Sequence, residues 1–452
     1  MKVYSVQSKY RNDVCFTNDK LKLKATLQDN KKSILISAGA VLGVLVSSVA
    51  VYKFHRPAGN NYSEFVKNLA VGVSAITGRK VNPFSLSCVM DKTEFVKEVS
   101  KLRGENYVYS PENIRKFGFL ADFHMHTNHS DGNISVGKLL DEISQYSQNL
   151  FKRTGKKFMF SITDHDSVEG VKEALVIISK NPEKFRFVKF IPGVELSFAH
   201  SSPKSKNPFE ISEVLAYGID PFKFESFCKK LQAKRTNMID KMLQDIQQAL
   251  PLTKFDKDEL FKYFGLNPKI LIMNSHWPVS HYAQTKHALT IQASRKGVAP
   301  DILYKDVMGN IGSDHKNVWH LRQNKILDED IDESYLIEDV RKSYAPHLED
   351  NEFVSFGENQ FEDLISELSD YDAVLSFAHP YFTAEKFHNS KEILNGFVES
   401  SEGLLQLSEG FHQAYPSHVN MDEVDKVNAY LDNLIQIGGS DNHMPVYIEV
   451  EK

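Results

Sequence analysis

The sequence predicts a parallel α/β architecture, and three observations lead to that prediction. From Phe117 onward, short strand-like runs of apolar and β-branched residues alternate with segments of helical periodicity. Most of the strand-like runs end in histidine, aspartate or glutamate. With 452 residues, of which 41% are hydrophobic and 25% charged, the chain can bury a large core. We therefore expect one large α/β barrel with additions, or about two to three domains.

The composition argues against several classes of protein. A formal net charge of −5 gives no broad basic surface for duplex nucleic acid, although a local phosphate site is allowed. The three cysteines lie far apart in the chain, which argues against a disulfide framework and against a cysteine-based zinc site. The seventeen histidines, many of them in short motifs with acidic residues, are the informative feature.

The N-terminal region predicts a membrane anchor. Residues 1–32 form a basic tail, and residues 33–52 are twenty residues without a charge. As a helix with about 1.5 Å rise per residue, this run crosses the roughly 30 Å hydrocarbon layer. A signal peptide would have a shorter apolar region nearer the N-terminus, and a buried core helix is the other alternative. Five lysines precede the run at close range and three basic residues follow it, which favours a single-pass protein with its N-terminus inside.

The remainder of the chain is predicted to consist of a lead-in, a barrel and an insertion. Residues 53–116 predict a linker, marked by Pro57 and Gly59, and then a small helical lead-in. Residues 117–452 predict the barrel domain. Within it, residues 221–372 predict a mostly helical insertion between the fourth and fifth strand-like runs.

The first motif of the barrel predicts a metal site. His124 and His126 end the first strand-like run at positions i and i+2, so both side chains leave the strand on the same side. Asp131 lies in the turn just beyond, close enough to add a carboxylate. Imidazole and carboxylate together are a ligand set for zinc, manganese or iron.

Later strand-like runs repeat this arrangement. The active sites of parallel barrels lie at the C-terminal ends of the strands, so polar residues that follow the strands converge on one mouth. This convergence predicts a multinuclear metal site. The runs are residues 158–163 before Asp164, His165 and Asp166; 185–191, continuing through Pro192 and Gly193 to Glu195; 211–217; 373–377 before His379; 404–407; and 434–437 before Asp441, Asn442 and His443.

The order of these motifs resembles the PHP (polymerase and histidinol phosphatase) family of metal-dependent phosphoesterases. The motifs are His-x-His-Thr…Ser-Asp-Gly, Thr-Asp-His-Asp, Pro-Gly-Val-Glu, Ala-His-Pro and Gly-Ser-Asp-x-His, between residue 117 and the C-terminus. The resemblance implies a distorted (β/α)7, TIM-like barrel with two or three zinc, manganese or iron ions. It implies metal ligands at His124, His126, Asp131, His165, Glu195, His379, Asp441 and His443.

The sequence departs from the family pattern in three places. Glu213 stands where the family often has a histidine at the start of the fourth strand, and we predict it as a ninth ligand. Gln406 stands where the sixth strand often has a glutamate, with Glu409 and His412 in the loop beyond. Residues 276–283 only partly resemble an Arg-Pro-His-x-Ala segment of one subgroup. Arg235 and His281 are therefore the candidate phosphate contacts, although the basic stripe that includes Arg235 is better interpreted as a solvated helix face.

The resemblance implies a mechanism as well as a ligand set. Two or three ions would bridge a water, lower its pKa and present hydroxide to phosphorus, with Asp131, His165, His379 and Asp441 as the catalytic residues. Asp164 or Asp166 would orient a metal-bound imidazole. The predicted substrate is a small phosphorylated molecule or short oligonucleotide, and the oligomeric state is open. Two alternatives remain: a membrane-tethered, non-catalytic metal-binding scaffold, and an amidohydrolase, which usually has a metal-bridging lysine at a strand end.

Overall fold

The computed structural model describes most of the chain beyond residue 62. No helix among the described residues is long and apolar enough to cross a membrane. The predicted anchor at residues 33–52 and the predicted ligand His443 lie outside the described residues, so both stay predictions. The described residues are 63–104, 120–200, 210–264, 276–310, 318–328, 331, 360–385, 388–412 and 419–441.

Seven strands form one sheet in chain order, as the seven strand-like runs predict. Each strand pairs with the next, and the sheet curls until the first and last strands meet. There the Phe123 amide donates to the Gly438 carbonyl at 3.3 Å, which nearly closes a barrel. The strands are β1 Ala121–Asp122, β2 Phe158–Ile162, β3 Val188–His200, β4 Glu210–Tyr217, β5 Val374–Phe377, β6 Leu405–His412 and β7 Ile435–Gly439.

The prediction of a parallel sheet is wrong for β4. This strand runs antiparallel to both of its neighbours, with a register from Gly193↔Tyr217 to His200↔Glu210 along β3. Only residues 201–209 separate β3 from β4, and a parallel return needs a crossover of roughly a dozen residues or more. The first residues of β4, rather than its last, therefore lie at the mouth formed by the C-terminal ends of the other strands.

Helices surround the barrel and also form the insertion. Those that connect barrel strands bury an apolar stripe; in α3, for example, Leu139, Leu140 and Ile143 are buried. The helices are α1 Glu64–Thr77, α2 Lys92–Gly104, α3 Val136–Thr154, α4 Glu169–Lys180, α5 Pro221–Ala249, α6 Lys257–Phe264, α7 His276–Lys296, α8 Pro300–Asn310, α9 Val318–Gln323, α10 Gln360–Leu368, α11 Pro380–Glu385, α12 Ser390–Ser400 and α13 Met421–Tyr430.

The lead-in helix α2 covers the end of the barrel opposite the mouth. Phe95 of α2 is fully buried, and its ring lies 5.0 Å, centroid to centroid, from the rings of Phe123 and Tyr217. Lys92, at the start of α2, pairs with Asp372 just before β5. The lead-in therefore supplies part of the barrel's core.

The described part of the insertion is helical and has a core of its own. The first half of α5 packs Phe224, Phe227 and Leu231 into the barrel's hydrophobic cluster. The second half buries Ile239 and Ile246 with side chains of α6 to α9. One long helix thus belongs to both cores.

Candidate metal centre

The two histidines of the first motif point at one spot in the barrel mouth. His124 and His126 are both completely buried, and their Nε2 atoms lie 3.1 Å apart. The chain around them is fixed by Asp122, whose Oδ1 accepts from the His124 amide at 3.3 Å and from the Ser440 amide at 3.0 Å. These bonds hold the end of β1 beside the segment that follows β7.

Two carboxylates from other strands complete this first group. Glu195 Oε2, from β3, lies 3.0 Å from His124 Nε2 and 3.2 Å from His126 Nε2. Asp441 Oδ1, which follows β7, lies 3.3 and 3.1 Å from the same two nitrogens. One buried point is therefore surrounded by ligand atoms of four residues that could hold a metal ion.

Two further groups overlap the first. One consists of His126, Asp131 and His165, and the other of His165, Glu195 and Glu213. His165 Nδ1 lies 3.2 Å from Glu195 Oε2, so Glu195 belongs to two groups. Overlapping groups with shared ligands are the arrangement expected for two or three ions held close together.

His379 adjoins the third group. Its Nε2 lies 3.3 Å from Glu213 Oε2 and 3.6 Å from Glu195 Oε1. Glu213 reaches this position because β4 is antiparallel and presents its early residues at the mouth. Glu213, which stands where the PHP family often has a histidine, thus lies within the cluster.

The structure brings eight of the nine predicted ligands into one cluster, and His443 lies outside the described residues. That these eight residues bind metal stays a prediction. The eight are His124, His126, Asp131, His165, Glu195, Glu213, His379 and Asp441.

Burial changes from the floor of the cluster to its rim. The side chains of His124, His126 and Glu195 are 0% exposed, whereas Asp131 is 25% and Asp441 22% exposed. The two aspartates therefore lie on the solvent side of the cluster.

The donor atoms fit a metal because their charges need a cation. Burial lowers the pKa of His124, but the carboxylates of Glu195, Asp441 and Glu409 outweigh it and place that pKa well above its usual value. Burial likewise raises the pKa of Glu195, yet the histidines His124 and His165 hold it well below its usual value. In addition, Glu195 Oε1 is buried without a hydrogen-bond partner. Divalent ions would supply the positive charge that this cluster favours.

Three of the six non-glycine residues with a positive φ among the described residues lie at this cluster. His379 and Asp441 have φ angles of +30° and +47°, and Asp166, next to His165, has +44°. A residue other than glycine in this region costs about 1–3 kcal/mol and requires support from its surroundings. The support comes from the site itself, since the Asp441 amide donates to the His124 carbonyl and the Asp166 amide to the Glu195 carbonyl, both at 2.9 Å.

Gly132 of the first motif allows two segments of the backbone to approach each other closely. A Cβ on Gly132 would overlap the backbone carbonyl of His126, so the Ser-Asp-Gly turn needs glycine to bring Asp131 back to the cluster. That Asp164 or Asp166 orients a metal-bound imidazole stays a prediction, and Asp164 has a second role. It accepts from the Thr127 amide at 2.6 Å and from the Ser130 hydroxyl at 2.9 Å, and so shapes the loop that follows His126.

Glu409 is a residue of the site that the sequence prediction placed in a loop. It lies within β6 and is fully buried, with both carboxylate oxygens 3.2 Å from His124 Nδ1. Gln406, the predicted counterpart of the family glutamate, is exposed and donates to the Gly403 carbonyl instead. The signal was available in Leu407 and Glu409, which lie two residues apart and so share the inner face of a longer strand, where Leu407 packs with Phe123 and Tyr217.

Of the two candidate phosphate contacts, His281 belongs to none of the three ligand groups. His281 lies in α7 of the insertion, beside Tyr282 of the insertion's own core, and burial lowers its pKa. Arg235 lies in α5, and its side chain is outside the described residues. Lys229 and Lys230 of the basic stripe pair with Glu225 and Glu367. A role for Arg235 and His281 in binding phosphate stays a prediction.

Comparison with known proteins gives little further information. No protein-family model matches the chain, and no curated protein matches it. Among solved structures, an amidohydrolase from Chromobacterium violaceum, titled as having bound SO4 and no metal, superposes with a TM-score of 0.41 at 16% sequence identity. The match covers 72% of this chain and 87% of the amidohydrolase chain. A likeness this weak carries no argument about function, which must come from the geometry of the site.

Proposed function

We propose that the chain is a metal-dependent phosphoesterase that hydrolyses a phosphomonoester, a nucleotide or a short oligonucleotide. The observation that carries the proposal is the convergence of His124 Nε2, His126 Nε2, Glu195 Oε2 and Asp441 Oδ1 at separations of 3.0 to 3.3 Å. Buried nitrogen and carboxylate oxygen atoms this close need either protons or a metal ion between them, and a divalent ion would supply that positive charge at one point. A group of this kind at the mouth of a barrel is typical of a hydrolytic metal centre.

The proposed roles of the ligand residues differ with their burial. The completely buried end of the site consists of Glu195, His124 and His126, and Glu195 belongs to two ligand groups. Asp131 and Asp441 hold the rim, where substrate enters. Divalent ions bound there would neutralise phosphoryl oxygens and activate water.

A phosphoester is favoured over an amide by two features. The motif order resembles the PHP phosphoesterases, and no lysine follows directly on any barrel strand in the sequence. Three overlapping ligand groups would also spread positive charge over a region large enough for several phosphoryl oxygens.

The test is to measure metal content and hydrolysis on the same preparation of the full-length chain. We expect two or three zinc, manganese or iron ions per chain when the protein is purified without chelator. We also expect metal-dependent hydrolysis within a panel of phosphomonoesters, nucleotides and short oligonucleotides, with amide substrates as the comparison.

A matched pair of variants assigns that activity to the site. His124→Ala should lose it by more than the roughly 100-fold that loss of an outer hydrogen bond to a ligand costs. His129→Ala should keep it, because His129 pairs with Glu173 at 2.8 Å on the exposed side of the same loop. A folded chain that takes up no metal would instead be a scaffold, and metal-dependent cleavage of amides alone would make it an amidohydrolase.

The membrane anchor is a separate part of the proposal and rests on the sequence of residues 33–52. We expect the full-length chain to stay in the membrane pellet after alkaline carbonate washing. A Leu42→Arg, Leu45→Arg double variant should move to the supernatant, because a charged residue at a helix centre disfavours insertion by about 2.5–3.5 kcal/mol. Release of the unaltered chain by carbonate would rule out the anchor.

A further inference from the structure

Glu409 contacts two predicted ligands from two different strands. Besides its bonds to His124 Nδ1, its Oε2 accepts from the backbone amide of His379 at 2.7 Å. The side chain is completely buried. A buried carboxylate is costly unless its oxygens have donors, and these donors belong to residues of the centre.

We propose that Glu409 is the positioning residue of this metal centre, since it sets the tautomer of His124 and the place of His379. The inference rests on the proposed metal-dependent function. Glu409 does not itself belong to any of the three ligand groups. It acts on the metal through the two histidines.

The tautomer follows from the chemistry of the contact. A carboxylate oxygen can only accept, and a neutral imidazole has one N–H. Nε2 lies 3.0 Å from Glu195 Oε2, within the ligand group, so this nitrogen would bind the ion and the one proton of the neutral ring would lie on Nδ1, where Glu409 accepts it. A carboxylate behind a metal-binding histidine fixes the ring and makes it a better donor.

The backbone of β6 and β7 is adapted to this contact. The pairing of β6 with β7 shifts register between Glu409 and Phe411, and such an irregularity re-aims a side chain next to an active site. On β7, a Cβ at Gly439 would clash with Glu409 Oε1 and with the Cβ of His124. Glycine at that position leaves the space in which carboxylate and imidazole meet.

The bond to His379 supports a strained residue. His379 has a φ of +30° and precedes Pro380, the first residue of α11. Its amide is held by Glu409, and its ring points Nε2 at Glu213 Oε2, 3.3 Å away. One carboxylate therefore fixes the ligands that follow β1 and β5 relative to each other.

The experiment compares zinc affinity among variants of the full-length chain, measured by competition with a chelator and corrected for the folded fraction. Glu409→Ala should bind zinc about 10–100-fold more weakly than the unaltered chain. Glu409→Gln keeps an acceptor oxygen of the same size without the charge, so its loss should be smaller. Glu399→Gln, on the exposed face of α12, is the matched control and should bind as the unaltered chain does.

Cobalt(II) substitution distinguishes positioning from general stability. The visible absorption of bound cobalt reports ligand geometry, which a merely structural role would leave unchanged. We expect altered bands in Glu409→Gln, a near-isosteric variant that stays testable if Glu409→Ala does not fold. Unchanged zinc affinity and unchanged cobalt bands in both variants would overturn the role of Glu409.

The outcomes separate this inference from the proposed function. If the unaltered chain binds zinc but hydrolyses no phosphoester, the proposed activity is wrong, and the zinc affinities and cobalt bands of the Glu409 variants still test the role of Glu409. If the unaltered chain binds neither zinc nor cobalt, the metal centre fails and the role of Glu409 fails with it.

Discussion

The two ends of the barrel interior are opposites in chemistry although the same strands build both. At the end covered by α2, the rings of Phe95, Phe123 and Tyr217 pack in T-shaped and tilted contacts, and the buried Tyr217 hydroxyl donates to the Phe123 carbonyl at 2.9 Å. At the mouth, the next residue, His124, faces Glu195 and Glu409.

The difference shows where stability and chemistry reside. Burying apolar surface contributes about 25 cal/mol per Å², so the apolar end stabilises the barrel. Burying carboxylates and imidazoles costs free energy unless each charge is matched. We therefore expect changes at the apolar end to lower stability without altering metal binding, and changes at the mouth to weaken metal binding with a smaller loss of stability in the metal-free protein.

The largest expected effect on stability is at the apolar end. Phe95→Ala should lower the free energy of unfolding by about 3–5 kcal/mol, because it removes a fully buried ring. Denaturant unfolding of the metal-free protein measures this, with Phe84→Ala at a partly buried position as the milder control. Metal content per folded molecule should not change; if it fell by half, the two ends would not be independent.

The second largest expected effect on stability is the stabilisation of the folded chain by metal bound at the mouth. Zinc at 100 times its dissociation constant should raise the apparent free energy of unfolding by about 2.7 kcal/mol, because it binds only the folded chain. The gain should disappear with chelator and shrink in Asp441→Asn, which weakens the first ligand group. The same unfolding transition with and without zinc would contradict a preformed centre.

Gly439→Ala tests the point at which β7 contacts the metal centre. The added methyl group would force Glu409 and His124 apart, so we expect a loss of about 1–3 kcal/mol and a weaker stabilisation by zinc. Gly396→Ala is the matched control, since a Cβ there meets nothing within 4 Å. Thermal unfolding with and without zinc measures both effects, and equal results for the two variants would show that Gly439 leaves no essential space.

The smallest effect should come from the basic stripe of the insertion. Lys229 is 68% exposed and pairs with Glu225 on the surface of α5, so Lys229→Ala should change stability by no more than about 0.5 kcal/mol. Its KM for the best phosphoester should equal that of the unaltered chain. A several-fold rise in KM, lost at high salt, would instead make the stripe a binding surface for substrate.

Local patterns accounted for the parts that the sequence predicted well. The seven strands and most of the clustered ligand positions follow from short apolar runs with acidic or histidine residues after them, because a strand fixes the direction of its side chains within two or three residues. Glu213, inside its run, was predicted from the resemblance to the PHP family instead. The predicted ends of strands were less accurate. The run at 404–407 extends to His412, and that difference put Glu409 in a loop when it lies in the barrel wall.

The sequence by itself determined which residues could bind metal and which strands carry them, since those are properties of neighbouring residues. The structure showed that β3 continues to His200, which leaves too short a connection for a parallel return and so sets the direction of β4 and the contact of Glu213 with His379. Tertiary structure also decided that Glu409 lies behind His124, at a separation of 285 residues along the chain. The physical reason is that pairing and register between distant strands depend on the packing of the whole barrel, which no local pattern encodes.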